Sequence, residues 1–163
     1  PTIYEGTTAL QANDLIGRET ARDGGTVARA ILRQVRQTEE QLQAAGGPDL
    51  AAIRSALATA STALDEVIGF VVAGAKTDVR AVYAGSVPYL KLAGIVLCGW
   101  QMARAALVAT QRLAEGGADD NFLKSKIATA RFYADHVLCQ APGLARSIVA
   151  GADGVLALTE AQF

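Results

Sequence analysis

Glu5 is the residue near the start of the chain with the clearest chemical potential, because it stands beside Gly6 and before Thr7 and Thr8. Carboxylates commonly accept protons in enzymes. The run TALQ that starts at Thr8 has the pattern of a capping box, so we predict that a helix begins there and that the Thr8 hydroxyl accepts from a first-turn amide. The amides and positive dipole at such a helix start favour an anion beside Thr7 and Thr8. In the simpler interpretation, Glu5 only complements the helix dipole and Gly6 only makes the turn.

The elements that would position these residues are all predicted to be helices. Helical periodicity recurs between glycine-marked breaks and strand signals are almost absent, so the pattern predicts an all-α fold, a helical bundle of about five to six helices. The predicted helices cover residues 8–22, 26–45, 48–75, 88–115, 119–140 and 142–151. A short helical continuation to about residue 84 is expected after the third, and an irregular tail after the last.

Apolar spacing within these helices predicts the core. The positions expected to be buried are Val27, Ile31, Val35 and Leu42 in the second helix, and Ile53, Leu57, Leu64, Val67, Ile68 and Val71 in the third. The opposite face of the second helix carries Arg29, Arg33, Arg36, Glu39 and Glu40, and we expect it to be solvated. Gly94 in the fourth helix is expected to let a neighbouring helix approach closely.

Composition excludes several classes of partner. The formal net charge of −1 over 163 residues offers no electrostatic basis for binding nucleic acid or an anionic membrane. Although 51% of the residues are hydrophobic, the best apolar stretch, residues 92–102, is too short to span a bilayer, so no membrane span is predicted.

Cys98 and Cys139 lie in apolar helical surroundings. We interpret them as reduced core thiols of a cytosolic protein, and we expect no disulfide and no metal site.

His136 is the single histidine of the chain, and its neighbours on the predicted helix include no serine or cysteine at a spacing typical of a catalytic triad. It is therefore interpreted as a structural histidine. Alternatively, Arg131, Tyr133 and His136 line a dimer or domain interface. No sequence motif for nicotinamide, nucleotide phosphate or zinc binding is present.

Three segments together resemble a known family. The segment TIYEGTTALQANDLIGRET resembles the last catalytic segment of the flavin-dependent acyl-CoA dehydrogenases. The segments PYLKLAGIVLCGWQMARAAL and KIATARFYADHVLCQAPGLARSIVAGADGVLALTEAQF resemble the additional C-terminal helical domain of the longer members, above all the 3-methylmercaptopropionyl-CoA and broad-range enzymes. The resemblance implies that residues 1–25 are the catalytic-glutamate loop and last helix of the enzyme core and that residues 26–163 are the additional domain. The chain would then be the C-terminal part of a longer polypeptide.

The resemblance also implies a function for the intact protein and roles for residues. The intact enzyme would use FAD to oxidise an acyl-CoA thioester to trans-2-enoyl-CoA, whereas this part alone is expected to be inactive. By position in the motif, Glu5 would be the catalytic base, Tyr4 and Gly6 would border the acyl substrate, and Thr7 and Thr8 would approach FAD. The expected partners are the acyl-CoA substrate, an electron-transfer flavoprotein and further copies of the chain in a homo-oligomer, in the cytoplasm.

A second hypothesis belongs to a different functional class. The alanine-rich helices after Gly25 also suit a non-catalytic helical domain that serves dimerisation or shields the flavin site. That hypothesis leaves the run from Tyr4 to Thr7 without a role.

Overall fold

The chain folds into helices throughout the part that the computed structural model describes, residues 7–116 and 119–162. No strand occurs in those two ranges, so the prediction of an all-α fold is confirmed. The α-helices are α1 Thr8–Asp14, α2 Thr26–Ala45, α3 Pro48–Gly74, α4 Val79–Ala84, α5 Ser86–Glu115, α6 Asp120–His136, α7 Ala141–Ala150 and α8 Ala152–Val155. A π-helix, Leu15–Ala21, continues α1, and short 3₁₀ turns occupy Leu138–Gln140 and Glu160–Gln162.

Glycines end the helices where the sequence predicts it. Gly46 and Gly47 have φ angles of +72° and +89°, a region that glycine enters far more readily than other residues, and they separate α2 from α3. Pro48 is the first residue of α3, where its missing amide costs no hydrogen bond. The predicted bounds of α2 are therefore confirmed, and those of α3 differ by one residue at the C-terminal end.

Helix α3 forms the centre of the core. All six of its positions predicted from spacing are buried. In α2 the prediction was partly wrong, because Val27 is 57% exposed and Ile31 only half-buried. The buried stripe of α2 instead consists of Leu32, Val35, Thr38 and Leu42. Val35 and Leu42 were predicted correctly, but Leu32 is buried in place of Ile31, and Val27 lies beside the stripe rather than in it.

Helices α3 and α5 are both long and apolar enough to cross a membrane when judged by length and composition alone. The most apolar 18-residue windows of the two helices have mean hydropathies of 1.5 and 1.6. The prediction considered only residues 92–102 and therefore underestimated the length of the apolar segments. In the folded chain 44% and 39% of these windows are buried. Core helices of water-soluble proteins also pass such a test, and here the two helices pack against each other and against α6 and α7.

The close approach to α5 occurs at Gly99, and the prediction for Gly94 was wrong. Gly94 is exposed and has no atom within 4 Å of the position that a β-carbon would take. A β-carbon on Gly99 would lie 2.6 Å from a methyl group of Leu138, which is itself buried. The absent side chain of Gly99 therefore lets the 3₁₀ turn after α6 pack directly on α5.

The charged face of α2 is not simply solvated, because part of it contacts α3. Asp65 of α3 lies 2.7 Å from a guanidinium nitrogen of Arg36 and 3.6 Å from Nε of Arg29. Ser61 donates a 2.8 Å hydrogen bond to the Glu39 carboxylate. These pairs flank the apolar stripe at the contact between α2 and α3.

Both cysteines are exposed, so their prediction as core thiols was wrong. The helical periodicity around Cys98 and Cys139 is correct, but each side chain falls on the outer side of its segment. We expect Ellman's reagent to titrate two thiols per chain in the native protein, because neither sulfur needs unfolding to be reached. Recovery of the two thiols only after denaturation would contradict this exposure.

Candidate functional site

The residues predicted to carry chemistry fall at the boundary of the described region. Tyr4, Glu5 and Gly6 lie outside the described residues, whereas Thr7 and Thr8 form the start of α1. Thr7, not Thr8, caps this helix: its backbone is extended, with φ −87° and ψ 157°, and its Oγ1 accepts from the amide of Leu10 at 3.3 Å. Thr8 already has its place inside the first turn, which is why the predicted cap was wrong by one residue.

The two threonines offer hydrogen-bond donors at this end of the helix. Thr7 Oγ1 accepts from the Leu10 amide, and this bond does not use the hydroxyl's own proton. Thr8 is exposed, and the amides of Thr8 and Ala9 have no acceptor within the helix itself. Hydroxyl and amide donors at a positive helix end are a suitable donor set for a phosphate group.

The helix that follows changes from α to π geometry at Leu15. The π-helix spans seven residues, Leu15–Ala21, and buries Ile16 and Thr20 against the bundle. Such π segments are rare and are frequently found at functional sites. Sequence periodicity assumes an α-helix and therefore gave no indication of it.

A buried hydrogen bond joins the π-helix to the bundle. Thr20 Oγ1 lies 2.8 Å from the phenolic oxygen of Tyr89 in α5, and the two residues are 1% and 2% exposed. Burial raises the pKa of Tyr89 above its usual range, although the bond to Thr20 opposes this effect, so the phenol is neutral at physiological pH. Sequence reasoning identified neither residue, since they are 69 positions apart.

A half-open apolar cavity of about 200 Å³ lies beside this hydrogen bond. Leu15 and Thr20 of the π-helix form one wall, and α2, α3 and α5 complete it with side chains that include Ile31, Ile68 and Tyr89. Ile16 belongs to the same apolar core as α3 and α5, so residues 8–21 are packed on the bundle. The division of the chain after residue 25 stays a prediction.

Asp23 fixes the turn between the π-helix and α2. Its two carboxylate oxygens accept from the amides of Gly25, Thr26 and Val27 at 2.9 to 3.2 Å. A carboxylate at the start of a helix is also favoured by the helix dipole. These bonds therefore hold the connection between the π-helix and the start of α2.

The possible interface group on α6 does not share one face of that helix. Its members are Arg131, Tyr133 and His136. Tyr133 is half-buried and donates a 3.2 Å hydrogen bond to the carbonyl oxygen of Ile95, so it belongs to the packing of α6 on α5. His136 is exposed and stacks on Phe132, with ring centroids 4.5 Å apart. Arg131 pairs with Asp135 at 2.7 Å and with Asp49 at 3.2 Å. Residues 7–116 and 119–162 bring together no group of three or more histidine, cysteine or acidic side chains that could hold a metal ion.

Comparison with known proteins identifies the domain to which this bundle corresponds. The family model described as acetyl-CoA dehydrogenase C-terminal like matches residues 31–159. The 3-methylmercaptopropionyl-CoA dehydrogenase of Ruegeria pomeroyi is 46% identical over 138 residues, which are 85% of this chain and 23% of that protein. The broad-specificity linear acyl-CoA dehydrogenase of Mycobacterium tuberculosis is 34% identical over 146 residues, covering 84% of this chain and 23% of the relative.

A third relative is a butyryl-CoA dehydrogenase of Syntrophomonas wolfei, 31% identical over 140 residues that cover 84% of this chain and 22% of that protein. The chain thus spans less than a quarter of the length of the relatives that it matches. Because the family model covers well over half of the 163 residues and the fold is the expected all-α bundle, the chain belongs to the acyl-CoA dehydrogenase family, as a C-terminal helical portion of its members.

Proposed function

We propose that the intact polypeptide containing this chain is an FAD-dependent acyl-CoA dehydrogenase, which converts an acyl-CoA thioester to trans-2-enoyl-CoA. The observation that carries the proposal is the 46% identity to a 3-methylmercaptopropionyl-CoA dehydrogenase across 85% of the chain. The chain alone is proposed to be inactive, because a helical domain of this size would supply only one part of the flavin and substrate sites.

Glu5 is the proposed base of this reaction. Its carboxylate takes the proton from the carbon α to the thioester carbonyl, while the Glu5 backbone amide helps to polarise that carbonyl and so increases the acidity of the proton. When bound, FAD supplies the acceptor for the hydride that leaves the β-carbon. Loss of the proton and the hydride leaves the carbon–carbon double bond of the product. Tyr4 and Gly6 are proposed to border the acyl group.

Thr7 and Thr8 are the residues proposed to approach FAD. The Thr7 hydroxyl, whose proton is not used in the bond from the Leu10 amide, the exposed Thr8 side chain and the first-turn amides can all donate to phosphate oxygens. Ala9 has no polar side chain and is not expected to contribute a side-chain contact. The donors on this helix therefore fit the chemistry of a pyrophosphate.

The proposed partners follow from the same activity. Electrons leaving the enzyme would pass to an electron-transfer flavoprotein, and the enzyme would act as a homo-oligomer in the cytoplasm.

For the chain by itself, a non-catalytic role in dimerisation or in shielding the flavin site is the second candidate. It is favoured by two exposed phenylalanines on α6, Phe122 and Phe132, which are 54% and 60% exposed and offer apolar surface to a neighbour.

Absorption spectroscopy of two purified proteins tests the proposal. The intact polypeptide should show the visible absorption bands of bound flavin, whereas the 163-residue chain should remain colourless after incubation with FAD. An intact polypeptide that folds but takes up no flavin would refute the proposed activity. A chain that binds flavin without the remaining polypeptide would refute its assignment as an inactive part.

A further inference from the structure

The cavity beside the Thr20–Tyr89 hydrogen bond has an almost entirely apolar interior. Apart from Thr20, Tyr89 and Glu19, every described side chain that lines it is aliphatic. Leu32 and Ile68, two of these wall residues, are each only 1% exposed. Because a cavity of about 150 Å³ with aliphatic walls holds benzene, one of about 200 Å³ has room for a molecule of roughly eight to ten non-hydrogen atoms.

The hydrogen bond leaves one buried hydroxyl proton without an acceptor. Thr20 and Tyr89 each carry a single O–H group, and Tyr89 keeps its proton because burial raises the pKa of its phenol. Their 2.8 Å bond uses one of the two protons, whichever residue donates. Residues 7–116 and 119–162 supply no acceptor for the other proton. Buried donors in native proteins normally have a partner, so an acceptor that reaches this pair is favoured.

Thr20 differs in this respect from other threonines on the helices. Thr38, Thr62 and Thr110 each donate to the carbonyl oxygen four residues earlier in the helix. Among the described residues Thr20 makes no such bond, and its hydroxyl bonds only to Tyr89. Thr20 lies in the π-helix, a geometry that is frequently found at functional sites.

Water is a poor partner for the remaining proton. A buried water needs about two to four polar partners, whereas the described walls offer only the hydroxyl pair and the exposed Glu19. A weakly held water is displaced with a gain in affinity by an apolar group. A molecule that joins an apolar body to one acceptor oxygen therefore suits both the aliphatic walls and the hydroxyl pair.

We propose that this cavity binds a small neutral molecule with an apolar body and a carbonyl-type oxygen, which accepts the remaining proton of the Thr20–Tyr89 pair. An anion is disfavoured, because the charged side chain among the described lining residues is Glu19 and none of them is basic. The site does not include Thr7 or Thr8, the described residues proposed to approach FAD. It is therefore tested separately from the proposed activity.

Acetophenone is a suitable probe, because it carries one carbonyl group on an apolar body of about the right size. α-Methylstyrene has the same shape with a methylene group in place of the carbonyl oxygen, and it serves as the matched control ligand. Isothermal titration calorimetry of the intact polypeptide should show saturable binding of acetophenone at this site.

Two alanine substitutions on α5 locate the binding. Ala93 is half-buried in the cavity wall, so Ala93→Leu fills the cavity and should weaken acetophenone binding by roughly tenfold or more. Ala105→Leu makes the same change at a half-buried position that does not line this cavity, and it should leave the affinity nearly unchanged. Equal losses in the two variants would overturn the assignment to this cavity.

A double variant, Thr20→Val with Tyr89→Phe, tests the role of the hydroxyl pair. Replacing both partners of a buried hydrogen bond by apolar groups of the same shape is nearly neutral for folding, and circular dichroism checks this. Acetophenone should bind roughly three- to tenfold more weakly, the range for loss of one hydrogen bond, whereas α-methylstyrene should not bind more weakly.

Three results would overturn the proposal. One is the absence of saturable acetophenone binding to the wild-type polypeptide, which decides the matter without any variant. The second is an unchanged affinity for acetophenone in the double variant. The third is equal weakening of both ligands in that variant, which would show a change in packing rather than loss of a hydrogen bond.

Discussion

Replacing Glu5 with glutamine in the intact enzyme should slow flavin reduction by acyl-CoA by roughly a hundred- to ten-thousandfold, the range expected for loss of a general base. Glutamine keeps the size and hydrogen-bonding reach of glutamate but does not accept the α-proton. Acyl-CoA and FAD should still bind, because the change removes a proton acceptor rather than a binding surface. The rate is measured by stopped-flow bleaching of the flavin after anaerobic mixing with acyl-CoA.

The matched control for this substitution is Glu40→Gln, the same chemical change on the exposed side of α2. We expect this variant to reduce its flavin at the wild-type rate. Near-normal bleaching in Glu5→Gln would mean that the base lies elsewhere and that Glu5 serves only as a charge near a helix terminus.

The largest effect on stability is expected at Leu57, which is fully buried in α3. Leu57→Ala removes apolar contacts and leaves a cavity, and it should reduce the free energy of unfolding of the 163-residue chain by about 2–5 kcal/mol. Urea denaturation followed by circular dichroism measures the change, provided that the slope with denaturant concentration is the same in both proteins.

The control for the stability measurement is Ser55→Ala in the same helix. Ser55 is exposed, and its substitution should change the free energy of unfolding by no more than about 0.5 kcal/mol. A loss in Leu57→Ala as small as that in Ser55→Ala would contradict the placement of Leu57 in the core.

Local signals in the sequence were sufficient for the long helices α2, α3 and α5 and for most of the α3 core. Gly46, Gly47 and Pro48 determine where α2 ends and α3 begins, because their backbone preferences act independently of distant contacts. The apolar spacing of α3 was reliable because that helix packs against several others at once. Val27 was wrongly placed because the phase of a stripe at a helix end depends on which neighbour the helix meets.

Contacts between residues that are far apart in the chain could not be predicted from the sequence. Gly94 and Gly99 look alike in sequence, and only the position of Leu138 makes Gly99 the one at a close contact. Likewise, no residue pattern near Thr20 identifies Tyr89 as its hydrogen-bond partner. Tertiary packing selects such contacts, and it also stabilises the π-helix, whose geometry no periodicity of apolar residues encodes.

The predicted site depends on the resemblance more than on physical pattern. Helix-start chemistry correctly indicated a helix beginning near Thr8, and the structure moves the cap to Thr7. A carboxylate before a helix has several ordinary uses, so the role of Glu5 as a base came from the surrounding motif. Tyr4, Glu5 and Gly6 lie outside the described residues, and their roles stay predictions.

Anaerobic titration with acyl-CoA decides whether the intact polypeptide is an acyl-CoA dehydrogenase. We expect the flavin absorbance to bleach as substrate is added. Mass spectrometry should then find an enoyl-CoA two hydrogens lighter than the substrate, in an amount equal to the flavin reduced. A flavin that stays oxidised in the presence of acyl-CoA, or bleaching without formation of enoyl-CoA, would contradict it.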